Sequence, residues 1–378
     1  MISLLPLLIS IQVTPARVQP AKTRLAVYES VLAEFNQALK PLPTGPANQM
    51  VRFGKLRPFL EKSLGRLVEA QKLPLGTGPK TSVDSAFDFP NDMVRVDLMR
   101  NFARLAEDQL GAGHRAQAAK TITIAQETSL ELTTSGQIRF LTAARDVAIL
   151  TSVVINNIER WDKPSLVSFL ALRKKMTDPK RFRALIDNSI RSKSREALGL
   201  VPELIADTGG QADDEQIREM VKWVRSLPAG SRRKVLESEI ATRIKKLEQV
   251  FQNLRPPEYT WPLSDAAYAR AVRVVPMHEF LDLMTTQGLA GLPKAIAKSA
   301  TVARLFGLYV QVQIYRLDHG KLPSVLTDAV PAADAFDTLA NHPFRYSSTG
   351  NKINVWSDGH PEVGGKIELK PRNQQHPN

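Results

Sequence analysis

Tyr315-Arg-Leu-Asp-His-Gly-Lys-Leu-Pro323, with Pro343-Phe-Arg-Tyr346 and Val355-Trp-Ser-Asp-Gly359 behind it, decides the fold of the C-terminal end. Ahead of it, Val302, Leu305, Phe306, Tyr309, Val312 and Tyr315 recur three or four residues apart, the spacing of one helix face. His319-Gly320 supplies the stop, because glycine takes the left-handed cap conformation without a Cβ penalty. Phe344 and Tyr346, then Ile353 and Val355, alternate with polar residues on either side of Thr349-Gly350-Asn351, a turn between strands. The spacing therefore predicts a long helix over 294–318, a short helical connector, an antiparallel hairpin and a third strand at 366–369. A lone hairpin is marginal in water, so it is expected to pack on the helix.

Outward from that stretch the pattern is helical. Apolar residues at helical spacing predict helices over 22–40, 51–72, 94–111, 114–132, 137–161, 164–176, 179–190, 194–205, 213–226, 231–254 and 277–286. The segment Ala143 to Ile155 is apolar on nearly all sides, which predicts a helix inside a bundle. Arg255-Pro-Pro-Glu-Tyr-Thr-Trp-Pro262 is the clearest boundary, since consecutive prolines cannot continue a helix. The expected fold class is mainly α: an irregular α-helical array followed by a small α+β unit, a long helix plus an antiparallel hairpin. The expected division is a signal peptide at 1–21, a helical domain at 22–254, a linker at 255–262, an α+β domain at 263–369 and a polar, disordered tail at 370–378.

Composition agrees with a folded helical chain. Of 378 residues, 43% are hydrophobic, 24% charged and only 6% aromatic, which suits packing through Leu, Ala, Val and Ile. The absence of cysteine excludes disulfides, thiol nucleophiles, iron–sulfur clusters and Cys-based zinc sites from this chain. The net charge of +13 attracts anionic surfaces through long-range electrostatics. It is densest from Arg160 to Arg195, and Arg173, Lys174, Lys175, Lys180, Arg181 and Arg183 are the expected contacts with such a surface. Few aromatics interleave with these cations, only Trp161, Phe169 and Phe182, so nucleic-acid binding ranks last. At the N-terminus, Ile2 to Val13 is apolar and Thr14-Pro-Ala16 and Val18-Gln-Pro-Ala21 follow, the layout of a secretory leader. Export to the periplasm or cell envelope is expected on that basis, a cytoplasmic location otherwise. No other segment has the length and freedom from charge of a transmembrane helix.

Two resemblances follow from these residues. The hairpin 94–132 resembles a tetratricopeptide unit: Phe102, Leu105 and Ala106 on its first helix, Gly113 at the turn, Ala118, Ile122 and Ala125 on the second. Gln109 stands where that motif has its tyrosine, and no second copy follows at a fixed period. The last 75 or so residues, a span typical of a small domain, resemble the periplasmic domain of type II secretion major pseudopilins. In that family the loop between the strands can hold calcium; Asp358 matches its acidic position and is the one metal ligand the resemblance implies. The matching segment Trp356-Ser-Asp-Gly359 is shortened, and Asp337-Thr-Leu-Ala-Asn-His-Pro343 replaces the family's Asp-Pro-Trp-Gly. The chain also lacks the pilin N-terminal glutamate. Taken together, the chain resembles uncharacterised bacterial envelope proteins that join a helical module to a pseudopilin-like end.

Catalytic patterns do not assemble. The six histidines form no His-Glu-x-x-His, and His278-Glu279 with Asp282 offers at most two metal ligands. Gly76-Thr-Gly-Pro-Lys-Thr81 has the wrong spacing for a phosphate loop, and Ser231-Arg-Arg-Lys234 lacks the partner motifs of the Ser-x-x-Lys enzymes. No catalytic residue and no cofactor beyond calcium at Asp358 is expected. The expected function is a non-catalytic interaction or scaffold protein of the envelope with protein partners. A periplasmic hydrolase with dispersed residues and a basic nucleic-acid binder are the alternatives.

Overall fold

The computed structural model describes residues 23–43, 45, 48–76, 89–132, 137–206, 215–252, 265–272, 289, 291–350 and 352–369. The leader at 1–21, the Pro-rich boundary at 255–262, the helix expected at 277–286 with His278, and the tail at 370–378 lie outside the described residues.

The fold is mainly α. Helices α1 (Arg24–Leu39), α2 (Gln49–Ala70), α3 (Phe89–Gly111), α4 (Arg115–Leu132), α5 (Gln137–Asn156) and α6 (Lys163–Met176) come first. They are followed by α7 (Pro179–Gly199), α8 (Val201–Ala206), α9 (Glu215–Ser226), α10 (Arg232–Gln252) and α11 (Asp265–Val272). The long α12 (Leu292–His319) then leads through two one-turn helices to a β-ribbon, β1 (Phe336–Asp337) with β2 (His342–Pro343), and a three-stranded antiparallel sheet. That sheet has the order β3 (Arg345–Thr349), β4 (Lys352–His360), β5 (Gly365–Glu368).

Local chemistry explains several boundaries. Asp162 and Asp178 cap α6 and α7, accepting from the backbone N–H of Ser165 at 3.0 Å and Lys180 at 2.9 Å. In each case a proline in the first turn needs no N–H partner. Gly320, at φ +68°, closes α12 as the His-Gly stop predicts. Gly359 is required by close approach: a Cβ there would sit 1.7 Å from the carbonyl oxygen of Gly365, at the irregularity between β4 and β5.

Two expectations need correction. The helices expected at 179–190 and 194–205 are divided differently, as continuous α7 from Pro179 to Gly199 and the short α8. Nothing in Arg191-Ser-Lys-Ser-Arg195 breaks a helix, and Ser189 on the same helix is itself buried. The middle helix α5 is not enclosed on all sides either. Val147, Leu150, Val153 and Val154 are buried, while Ala148 and Ser152 face out. The small strands β1 and β2 were not expected; two residues each give no alternation to read.

The largest core runs from α1 to α6 and continues through the second half of α12 into the sheet, joining Leu60, Phe102, Ile122, Phe169, Phe306, Tyr309, Val355 and Ile367 in one cluster. Residues 303–310 of α12 are all buried, because α6 and α5 cover one side and β4 and β5 the other. Tyr309 joins the halves, its hydroxyl accepting from the Val355 N–H at 3.2 Å and donating to the Leu369 carbonyl at 3.2 Å. The first half of α12 belongs to a second cluster, where Leu292, Ile296 and Ala300 meet Phe182, Ile186, Leu247, Phe251 and Tyr268. A third, smaller cluster lies between α7, α8, α9 and α10 around Val201, Met220, Leu236 and Ile240.

Candidate functional site

The densest polar chemistry lies on α4, whose buried residues include Thr121, Gln126, Glu127, Thr128 and Ser129. Each of these sides has a different neighbour. Thr121 donates to the Gln109 side chain on α3 at 2.8 Å. Gln126 donates to Thr151 on α5 at 3.1 Å, and Ser129 to Asp146 on α5 at 2.9 Å. Asp146 also meets the guanidinium of Arg95 on α3 at 3.1 Å, both side chains almost wholly out of solvent. A carboxylate and a guanidinium survive there because each neutralises the other, and removing either strands a buried charge.

At the C-terminal end of α4 two carboxylates, one turn apart, face the neighbouring helices. Glu127 accepts from Gln71 Nε2 beyond α2 and from Lys175 Nζ on α6. Glu131 accepts from Arg24 Nη1 and, at 2.7 Å, from the Tyr28 hydroxyl, both on α1. Arg24 reaches on to the carbonyls of Gln71 and Leu73 at 2.9 and 3.0 Å. Burial, and then the hydrogen bond to Glu131, push the Tyr28 phenol well above its ordinary range, so it stays a neutral donor. All four carboxylate oxygens thus hold a donor from another segment. A general base needs an oxygen within reach of a substrate proton; this arrangement instead ties α1, α2, α4 and α6 together with balanced charge.

The small and apolar residues of the α3–α4 hairpin pack closely against one another. Phe102, Leu105, Ala106, Ala118, Ile122 and Ala125 are fully buried, and Gly113 has φ +84°. Gln109 is buried too, and it accepts from Thr121 across the hairpin.

Asp358, the ligand implied for calcium, sits at the end of β4 among donors. Arg345 Nε lies 2.8 Å from its Oδ2, His342 Nε2 3.0 Å from the same oxygen, and Trp356 Nε1 3.2 Å from Oδ1. The hydrogen bond from Arg345 holds the carboxyl below the usual carboxylate range. Calcium takes six to eight oxygens, whereas these side chains bring nitrogens, and no group of three acidic or histidine side chains gathers among the described residues.

The basic run expected to meet an anionic surface is largely engaged within the chain. Arg173 crosses α12 over Gly307, where a Cβ would come within 2.8 Å of its Cδ, and pairs with Asp334 at 3.1 Å. Lys175 holds Glu127, and Arg183 pairs with Asp187 at 3.1 Å. Arg181 donates to the Met176 carbonyl at 3.0 Å and lies over the Phe182 ring; desolvation pulls its pKa down to about 10 against the opposing charge of Asp178. Lys174 and Lys180 remain exposed. The aromatics that interleave with this run are buried: Trp161 stacks edge-on with Phe169 at 5.2 Å, and Phe182 lies in the second core. Ser231 donates to the Pro228 carbonyl at 3.0 Å, which places it in a turn.

The polar hub on α4 corresponds to no motif in the sequence. Its only signal there is a helix with Thr121, Gln126, Glu127, Thr128, Ser129 and Glu131 on nearly every side, which leaves no clean apolar stripe. Set against family models, curated proteins and solved structures, the chain matches none of them. No helix among the described residues is long and apolar enough to cross a membrane.

Proposed function

We propose that this protein is a non-catalytic scaffold of the bacterial cell envelope, exported by the leader-like segment at 1–21, whose helical body presents surfaces to protein partners. The observation that supports it best is the shared core: α6 packs along α12, and α12 carries the sheet, so the helices and the pseudopilin-like end form one stiff support. The carboxylates of Glu127 and Glu131 fit that role, since their oxygens are committed to holding four helices in place. The C-terminal unit, helix plus antiparallel strands, is read as a pseudopilin-like module used here as a buttress.

The test is the mature N-terminus of the full chain expressed in a bacterium and recovered from separated periplasmic, membrane and cytoplasmic fractions. Cleavage after Ala16 or Ala21, with the product in an envelope fraction and crosslinked there to a defined protein, is the expected result. An intact leader on a cytoplasmic monomer overturns the proposal.

A further inference from the structure

The turn between α9 and α10 concentrates exposed positive charge in a way the run from Arg160 to Arg195 does not. From Met220 to Leu236 the sequence has five cations, Lys222, Arg225, Arg232, Arg233 and Lys234, and no acidic residue. Lys222, Arg225, Arg233 and Lys234 are exposed. Arg232 is structural: it donates to the carbonyls of Leu227 at 3.1 Å and Arg225 at 3.0 Å and staples the turn shut. Glu237 partners Arg233 at 2.8 Å, one turn into α10. Glu219, exposed on α9 three residues before Lys222, and Glu237 are the acidic residues that bound this stretch in sequence.

Between the two sets of cations the tip is uncharged. Ser226-Leu-Pro-Ala-Gly-Ser231 exposes Pro228, Ala229 and Gly230, with Leu227 half-buried and Trp223 half-buried one turn back on α9. Cations alone fit any polyanion. Cations flanking an apolar tip fit a bilayer in particular: the tip has hydrocarbon to enter and the ammonium and guanidinium groups meet anionic headgroups, while Trp223 packs on the third core and holds the corner in place. A phosphodiester backbone offers nothing to Leu227 and Pro228.

We propose that the α9–α10 corner is a docking surface for an anionic lipid bilayer. It stands apart from the export proposal, because it concerns a surface of the folded chain and is tested in vitro.

The experiment is co-sedimentation of the full chain with vesicles of phosphatidylcholine containing about one-third phosphatidylglycerol, against pure phosphatidylcholine, at 50 and 300 mM salt. Binding to the anionic vesicles, weakening with salt, is expected. Each cation near such a surface is worth roughly a fivefold gain in partitioning, so Lys222→Glu/Arg233→Glu/Lys234→Glu is expected to lower it on the order of a hundredfold or more. Lys174→Glu/Lys180→Glu reverses exposed charge on α6 and α7 and is expected to lower it far less. Leu227→Ala/Pro228→Ala keeps every charge and is expected to weaken binding at high salt above all. Circular dichroism establishes that each variant is folded; should the triple reversal not fold, Lys222→Ala/Lys234→Ala takes its place. Equal losses from the α6–α7 control, no binding to anionic vesicles, or retention of duplex DNA or an acidic protein column in preference to vesicles overturns the proposal.

Discussion

The body from α1 to α6 and the arm from α7 to α10 pair charge differently. Beside pairs within one helix such as Arg57–Glu61 and Arg100–Asp97, the body has pairs that cross between segments: Arg95 to Asp146, Lys175 to Glu127, Arg24 to Glu131, Arg173 to Asp334. In the arm, pairs such as Arg183–Asp187, Lys193–Glu196 and Arg233–Glu237 stay within one helix, three or four residues apart. Pairs of that kind contribute about 0.3–0.5 kcal/mol each when exposed. The difference teaches that an excess of positive charge in a sequence says little until each cation's neighbours are known. The body ties cations such as Arg95, Arg24 and Arg173 to carboxylates on other segments, and the arm's far corner exposes Lys222, Arg225, Arg233 and Lys234.

The contrast can be broken at its strongest point first. Asp146→Ala leaves the Arg95 guanidinium without its carboxylate inside the body and is expected to cost on the order of 3–5 kcal/mol in urea denaturation. Arg95→Met/Asp146→Leu is expected to recover most of that loss; a double variant as weak as the single one means the pair specifies more than charge balance. In the arm, Phe251→Ala opens the second core and is expected to cost about 3 kcal/mol. Hydrogen exchange should then accelerate mainly in 179–252, and equal acceleration in α3 and α4 would show that body and arm unfold as one.

Tyr309→Phe removes the hydroxyl between α12 and β4 and leaves the Val355 N–H short of an acceptor, an expected loss of about 1–3 kcal/mol. It also carries a pH signature. Burial pushes the Tyr309 phenol up to about 12, so the unfolded chain ionises first. Its contribution is complete below pH 10 and is lost as pH rises from there towards 12, and the phenylalanine variant should show a shallower decline in that window. Tyr28→Phe should cost less, about 1 kcal/mol, by removing one donor from Glu131. Gly307→Ala has the smallest expected effect: a helix gain of about 1 kcal/mol set against displacement of Arg173. Combined with Arg173→Ala, which removes the Cγ, Cδ and Nε atoms nearest that methyl group, it should stabilise relative to Arg173→Ala alone.

How much was legible follows from the kind of signal each feature leaves. The helix stripe from Val302 to Tyr315, the Gly320 stop and the alternation across Thr349-Gly350 depend on neighbours in sequence, and the structure has all three. The burial of Arg304 on that same helix does not show in the stripe. Its guanidinium donates to the Phe336 carbonyl and, at 2.9 Å, to Thr338, and lies 5.2 Å from the Phe344 ring centroid, all contacts more than thirty residues away. Gln109 is similar: no neighbour in sequence announces its burial, and only the facing Thr121 shows what it does. Asp358 carried an expectation of oxygen-rich surroundings, but His342 and Arg345 reach it from across the ribbon and the sheet.

Period, caps and turn residues by themselves determined a mainly helical chain ending in a small antiparallel sheet, because these are local choices of backbone conformation. Tertiary structure alone decided that α12 is buried on all sides in its middle, that α4 is a polar hub, and which cations face water. The physical reason is range. Backbone preferences act over a few residues, whereas desolvation and charge pairing depend on whatever the fold brings within a few ångströms, from anywhere in the chain.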